Sequence, residues 1–424
     1  MYPHAFGDTP PPQRWRLLAV ATLQQAGLTL VRFGLPALAP FVRADMGLSL
    51  PQTGAVLGAF DLGALLAFYV TGVATERWGE RHVMAVGALL TGLLAAAASM
   101  APSLVVLTLV LAAAGTGFAS SQVAGSHAVL SWFGFRERGL AMGVRQAGLP
   151  IGGLAGAWLL PWLATRYGWR LALLVAAAWC AAAGLATWIG LADLRRVGPE
   201  PQPPAGAAPS FVEAPWRFVR DPTLVLTTLT ACLLAAGQFS LTGYLPLYMV
   251  DVFGWAPAGA ARLLLLVHAG GIAGRLLWGW ISDRLLGADR VRPLALAAWA
   301  ASMSAAMVAS LAGLSPLSTL VAGGAALLSG FTMLGWNGLY VTLLSERAGS
   351  SAAVMLGLSM TVLYVWTMLS PPAFGWLVQH VGGHHSLAWW AVSALQMVAV
   401  ATAAGIGRVL AGTRAGRRLP AEVR

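Results

Sequence analysis

The chain has 424 residues, 58% hydrophobic and only 10% charged, and its 26 basic residues, all of them arginine, outnumber 15 acidic ones. That much apolar surface exceeds what a soluble domain of this length can bury, so a soluble globular class is excluded. The arginines are scattered over many short loops and form no continuous basic face, which excludes a nucleic-acid partner.

The first sixteen residues, "MYPHAFGDTPPPQRWR", are polar and proline-rich and lead into apolar Leu17 to Val31. Ala37-Leu38-Ala39 resembles a signal-peptidase site, but the segment runs on through Arg32 to Val42 and reads as the first spanning helix. Apolar runs against polar breaks then predict six helices in the first half, at roughly 16–42, 50–73, 82–100, 103–130, 139–163 and 170–190. Six more follow at roughly 222–250, 258–281, 292–313, 316–343, 350–378 and 386–408. Each is long enough to cross a bilayer, which takes about 20 residues. Between the sets, "LADLRRVGPEPQPPAGAAPSFVEAP" (191–215) is too rich in proline and glycine for a helix and marks a solvated linker. The expected fold is an all-α membrane protein: a six-helix bundle over 1–190, the linker, and a second bundle with a basic tail over 216–424. Cys180 and Cys232 fall in apolar segments of different halves, so no disulfide is expected.

Arginine sets the orientation. With the N-terminus inside, nineteen arginines fall in inner loops and ends, whereas only Arg43, Arg166, Arg170 and Arg262 fall outside. The positive-inside rule thus places both termini and the linker in the cytoplasm of a bacterial-type inner (plasma) membrane.

The halves echo each other. "GVATERWGERH", from Gly72 to His82, closes the second helix with Glu76, Arg77, Glu80 and Arg81; "GWISDRLLGADR" repeats its glycine, three residues, acid and arginine 207 positions later at Gly279, Asp283 and Arg284. "RER" at Arg136 to Arg138 is likewise echoed by "SER" at Ser345 to Arg347. A duplicated six-helix unit is the parallel repeat expected of a transporter.

Ionisable groups inside membrane helices are costly and demand a partner or a role. Asp61 lies near the middle of the second helix and His268 near the middle of the eighth, each eleven residues before the glycine of its loop, Gly72 or Gly279. Arg32, in the first helix, and Asp61 are equidistant from the turn at Met46 and Gly47, so they lie at similar depth on antiparallel helices and can pair. The pair reads either as a fixed internal salt bridge or as a coupling device in which protonation of Asp61 frees Arg32 for an anionic substrate. His268 is a packed neutral histidine or a proton relay. Arg145 starts about 10 Å from the inner end of the fifth helix, so it snorkels to the headgroups or points inward, and snorkelling or a gate contact is the reading preferred. Arg275, four residues before Gly279, braces the loop. His380, His384 and His385 read as a solvated outer loop rather than a metal site.

The loop stretches carry a resemblance. Gly72, Glu76, Arg77, Gly79, Arg81 and His82 fill the places of the loop signature of the major facilitator superfamily, and Gly279, Asp283 and Arg284 fill a second copy that has one extra residue before Gly287. "YGWR" at Tyr167 to Arg170 and "PPAFGWLV" at Pro371 to Val378 are similar to other recurrent stretches of that superfamily. The resemblance implies alternating access, a cytoplasmic latch in which Glu76 and Arg77 are the working pair, and a cavity lined by the first, seventh and tenth helices. Gln24, Gln238, Tyr244, Asn337 and Tyr340 are then candidate substrate contacts, with polar glue between helices as the other reading. In carboxylate-carrying relatives an arginine on the helix of Arg275 binds substrate.

The ladder Gly139, Gly143, Gly148, Gly152 and Gly156 resembles the fifth-helix signature of proton-coupled antiporters, with Gly153 and Ala157 departing from it; close helix packing explains the same spacing. Arg32 stands eight residues before Pro40 as in the anion:cation symporter branch, although Val31 replaces that branch's aspartate and the arginine sometimes found on the fourth helix is absent. No phosphate-cradling loop with a lysine, catalytic triad or cysteine–histidine metal spacing occurs, so neither an enzyme nor a cofactor is expected. The expected function is a monomeric, proton-coupled carrier of a small organic anion. The alternatives are a proton-coupled exporter of drugs or hydrophobic metabolites and, in another class, a non-transporting sensor or assembly factor.

Overall fold

The computed structural model describes residues 13–197, 213–314, 317–380 and 384–418. Residues 1–12, most of the predicted linker and the end of the basic tail lie outside the described residues.

The described residues are helical almost throughout. In the first half these are α1 (Arg14–Met46), α2 (Leu50–Trp78), α3 (Glu80–Ser99), α4 (Leu104–Trp132), α5 (Arg138–Tyr167) and α6 (Trp169–Val197). A short α7 (Glu213–Arg220) precedes α8 (Pro222–Phe253), α9 (Pro257–Trp280), α10 (Val291–Ser310), α11 (Thr319–Leu334), α12 (Asn337–Ala348), α13 (Ala352–His380) and α14 (His385–Arg418). Eleven stretches among the described residues are long and apolar enough to cross a membrane, and one of them, Thr319–His380, has 62 residues, enough for two passes. Twelve crossings therefore stand as expected.

Two compact units result. One holds α1 to α6 with residues 349–364, and the other holds α7 to α12 with residues 365 onward. Within the first, α2 packs on α4 and α3 on α6; within the second, α9 packs on α11 and α10 on α14. These are the same pairings one repeat apart. The crossings are built on reciprocal glycines. Gly63 seats on the backbone of Ala112 and Gly115 on that of Phe60; in the second unit Gly270, 207 positions after Gly63, seats on Leu327, and Gly330 seats on Val267, 207 positions after Phe60. A Cβ at Gly115 would lie 2.8 Å from the Phe60 carbonyl carbon and one at Gly330 2.7 Å from that of Val267, so no side chain fits at either crossing. Asp61 and His268 follow Phe60 and Val267 directly, and the crossings fix their depth.

Three departures from the sequence reading have local causes. The predicted tenth helix is broken into α11 and α12 at Gly335 and Trp336. There the Asn337 amide donates to the Leu334 carbonyl at 3.2 Å, and the missing side chain of Gly335 admits Trp278, whose Cδ1 would lie 2.6 Å from a Cβ. Residues 213–215, expected in the linker, open α7, which buries Ala214 and Phe218 and leaves Trp216 and Val219 exposed. The extra residue of the second loop copy is absorbed by a π-helical turn at Ile281–Leu285. Both loop glycines take positive φ, 77° at Gly79 and 61° at Gly287, as their turns require.

Candidate functional site

The pair expected from hairpin depth is formed. Arg32 Nε donates to Asp61 Oδ1 at 2.6 Å, joining α1 to α2 in the first unit. The guanidinium is buried by aromatic rings: its centre lies 4.9 Å from the Phe33 ring and 5.0 Å from those of Phe118 and Tyr364. Arg32 Nη1 also donates to the Tyr364 hydroxyl at 2.9 Å. The Arg32 side chain is 8% exposed and that of Asp61 33%, so the carboxylate is the open side of the pair. Tyr364 was not legible as a site residue, because it stands inside an apolar run with no charged neighbour.

Arg145 is fully buried and takes the inward orientation rather than snorkelling. Gly125 on α4 makes the room, since a Cβ there would lie 2.6 Å from Arg145 Nη2. The guanidinium turns inward and donates to the Ser121 carbonyl and, at 3.1 Å, to Ser126 Oγ, while Nε has no partner. Arg275 on α9 is 2% exposed; its Nη1 donates to the Gly271 carbonyl of its own helix at 3.1 Å, and its Nε is unpartnered. His268, seven residues earlier on the same face, has an unpartnered Nδ1. No carboxylate among the described residues pairs with Arg145 or Arg275.

The predicted polar contacts divide. The Asn337 amide donates to Gln238 Oε1 at 3.0 Å, so these two satisfy each other inside the second unit. The Tyr244 hydroxyl donates to the Pro371 carbonyl at 2.8 Å, and Tyr340 is buried against the Trp336 ring. Gln24 is fully buried, donates to the Met84 carbonyl at 3.1 Å and keeps an unpartnered Oε1. The glycine ladder packs α5 onto α1: a Cβ at Gly148 would lie 2.8 Å from the Thr22 carbonyl oxygen and one at Gly156 3.0 Å from that of Leu30.

At the loop signature, Glu76 Oε1 accepts the backbone N–H of Val354 at 3.1 Å, capping the first turn of α13. Gly72 permits the approach, since a Cβ there would lie 2.6 Å from the Ala353 carbonyl oxygen. Arg77 is exposed. Arg81 Nε donates to the Trp188 carbonyl at 3.0 Å, with the guanidinium 4.3 Å from that indole. In the second copy Gly279 and Asp283 are buried and Arg284 is exposed. The base that meets Asp283 is Arg290, which also reaches Glu346 at 3.4 Å. Arg290 is one of the nineteen inner arginines, and no motif in the sequence marks it.

Comparison with known proteins bears on the whole arrangement. Residues 21–371 match the family described as Major Facilitator Superfamily. The chain is 28% identical over 369 residues to an uncharacterised MFS-type transporter of Mycobacterium tuberculosis, covering 86% of this chain and 79% of that protein. It is 25% identical over 387 residues to a probable sulfoacetate transporter of Cupriavidus necator, covering 88% and 89%. Among solved structures it resembles the Escherichia coli fucose:proton symporter, with a TM-score of 0.71 at 15% identity over 92% of this chain and 99% of that one.

Proposed function

The chain belongs to the Major Facilitator Superfamily of transporters, and on that premise we propose that it is a secondary carrier of small organic anions driven by protons. One observation carries the reading. Of the three buried arginines that lie away from the first and last turns of its spans, Arg32, Arg145 and Arg275, only Arg32 has a carboxylate partner among the described residues. Buried, uncompensated positive charge favours an anionic cargo and opposes a cationic one. The similarity to a probable sulfoacetate transporter supports the same class.

In this reading Asp61 holds Arg32 while the site is empty. Protonation of Asp61 releases the guanidinium to a substrate carboxylate or sulfonate, with Arg275 as the second cationic element, His268 as a proton relay and Gln24, Gln238, Tyr244, Asn337 and Tyr340 as orienting contacts. The contacts of Glu76 and Asp283 at the ends of α2 and α9 form and break in each cycle, with the termini and linker on the cytoplasmic side of the inner membrane. The protein works as a monomer without a cofactor.

The test is uptake by purified protein in liposomes under an imposed pH gradient, with a panel of carboxylates, sulfonates and lipophilic cations. Carboxylates or sulfonates should accumulate. Flux of the cations alone would favour a drug exporter instead. Asp61→Asn should abolish pH-driven accumulation while keeping exchange of substrate for substrate, and Arg32→Ala should lose both. Wild-type accumulation by Asp61→Asn would refute the coupling role.

A further inference from the structure

Asp61, Phe68, Gly72 and Glu76 fall at spacings of seven, four and four, so they line one stripe of α2. Val354, Gly357 and Tyr364, at spacings of three and seven, line one stripe of α13. The stripes touch along their length within the first unit. Glu76 caps Val354 at 3.1 Å, and a Cβ at Gly72 would lie 2.9 Å from Val354 Cα. One at Gly357 would lie 3.2 Å from the Phe68 carbonyl carbon, and the Phe68 and Tyr364 rings pack with centroids 4.4 Å apart. At its far end the seam meets the ion pair, where the Tyr364 hydroxyl accepts from Arg32 Nη1 at 2.9 Å.

We propose that Tyr364 is a positioning residue that transmits the charge state of Asp61 to the Glu76 cap of α13. The proposal rests on the reading above only in taking neutralisation of Asp61 as the event to be transmitted. The guanidinium is stretched between two acceptors, Asp61 through Nε and Tyr364 through Nη1, and Phe33 and Phe118 crowd it at 4.9 and 5.0 Å. When Asp61 loses its charge, the stronger of the two holds weakens, and Tyr364 remains as the hydrogen-bonding acceptor among the described residues. The guanidinium then draws on Tyr364. The hydroxyl is fixed to a ring wedged on Phe68, and ten residues of continuous helix, about 15 Å, join that ring to Val354. A small displacement at one end of so short a rod is felt at the other, because packed elements shift between discrete seatings rather than deform. The cap where the displacement is read is the hydrogen bond from the Val354 amide, in the first turn of α13, to Glu76. Among the described residues the titratable groups bearing on Asp61 are Arg32 from α1 and Tyr364 from α13, while α4 presents the uncharged Phe118 to the guanidinium.

Backbone hydrogen exchange over residues 352–357 in the full-length protein reads the cap directly and needs no substrate. Four proteins form a cycle: wild type, Asp61→Asn, Tyr364→Phe, which keeps the ring and removes the hydroxyl, and the double variant. Glu76→Gln marks the rate of the weakened cap. Asp61→Asn should speed exchange of this segment by about tenfold, the effect of weakening one charge-assisted hydrogen bond. In the Tyr364→Phe background the same substitution should change it less than twofold. Equal acceleration with and without the hydroxyl, or none in either background, would overturn the proposal. Asp61→Ala supplies the same neutralisation should the asparagine variant misfold. Failure to accumulate organic anions would overturn the cargo and leave this coupling standing, so the two failures are distinguishable.

Discussion

Arg290 and Arg284 stand six residues apart in the same loop, and burial alone separates their fates. Arg290 is 3% exposed and sits between Asp283 and Glu346, whereas Arg284 points outward. Removing one partner of a buried ion pair leaves the others uncompensated and costs about 3–5 kcal/mol, whereas an exposed arginine is worth about 0.5 kcal/mol or less. Arg290→Ala should therefore lower the thermal unfolding temperature of the detergent-solubilised protein sharply, and Arg284→Ala should leave it near wild type. The signature predicted the second arginine because sequence spacing shows only which residues are adjacent in the chain. The π-helical turn that carries Asp283 inward was not readable from spacing. Arg32 and Asp61 were legible for the opposite reason: two antiparallel helices with one tight turn fix depth arithmetically, and the pair forms at 2.6 Å.

At the scale of the helix, apolar length revealed the crossings and little of their interior. The run from 316 to 343 has no polar interruption strong enough to mark a break, because the device that breaks it is an asparagine bonding its own backbone beside a glycine. Likewise α7 hides at the end of a proline-rich stretch, and its two buried residues say little by themselves. The reciprocal glycines are more informative, since Gly63 and Gly270 recur at the repeat spacing and each faces a second glycine-made crossing on the partner helix. Gly270→Leu would drive a side chain into the Leu327 backbone and cost about 1–3 kcal/mol through overpacking, read as a lowered unfolding temperature. Gly243→Leu on α8, with open space around its Cβ position, should be tolerated.

Over the whole molecule, each unit is fastened by polar contacts near the ends of its helices. In the first, Asp45 at the end of α1 meets Trp169 and Arg170 at the start of α6, and Arg14 meets Glu137 at 2.7 Å. In the second, Asp251 near the end of α8 meets His385 at the start of α14 at 3.0 Å, and Asp221 meets Arg347 at 2.9 Å. "YGWR" is thereby explained as half of a clasp whose other half, Asp45, no motif announced.

Deep in the first unit the account is electrical. Arg32 and Asp61 are oppositely charged partners, so on the proposed function loading one monoanion with one proton would exchange one negative charge for another at the same guanidinium. The loaded and empty forms then carry equal charge through the membrane field, which otherwise acts on each elementary charge with about 2.3 kcal/mol per 100 mV. Monoanion uptake should follow the pH difference and ignore a potassium diffusion potential set with valinomycin. A dianion entering with one proton carries an uncompensated negative charge, and an inside-negative voltage should slow it. Uptake of a monoanion driven by an inside-negative voltage would mean that more than one proton enters with it, so that a group besides Asp61 carries a proton in the cycle.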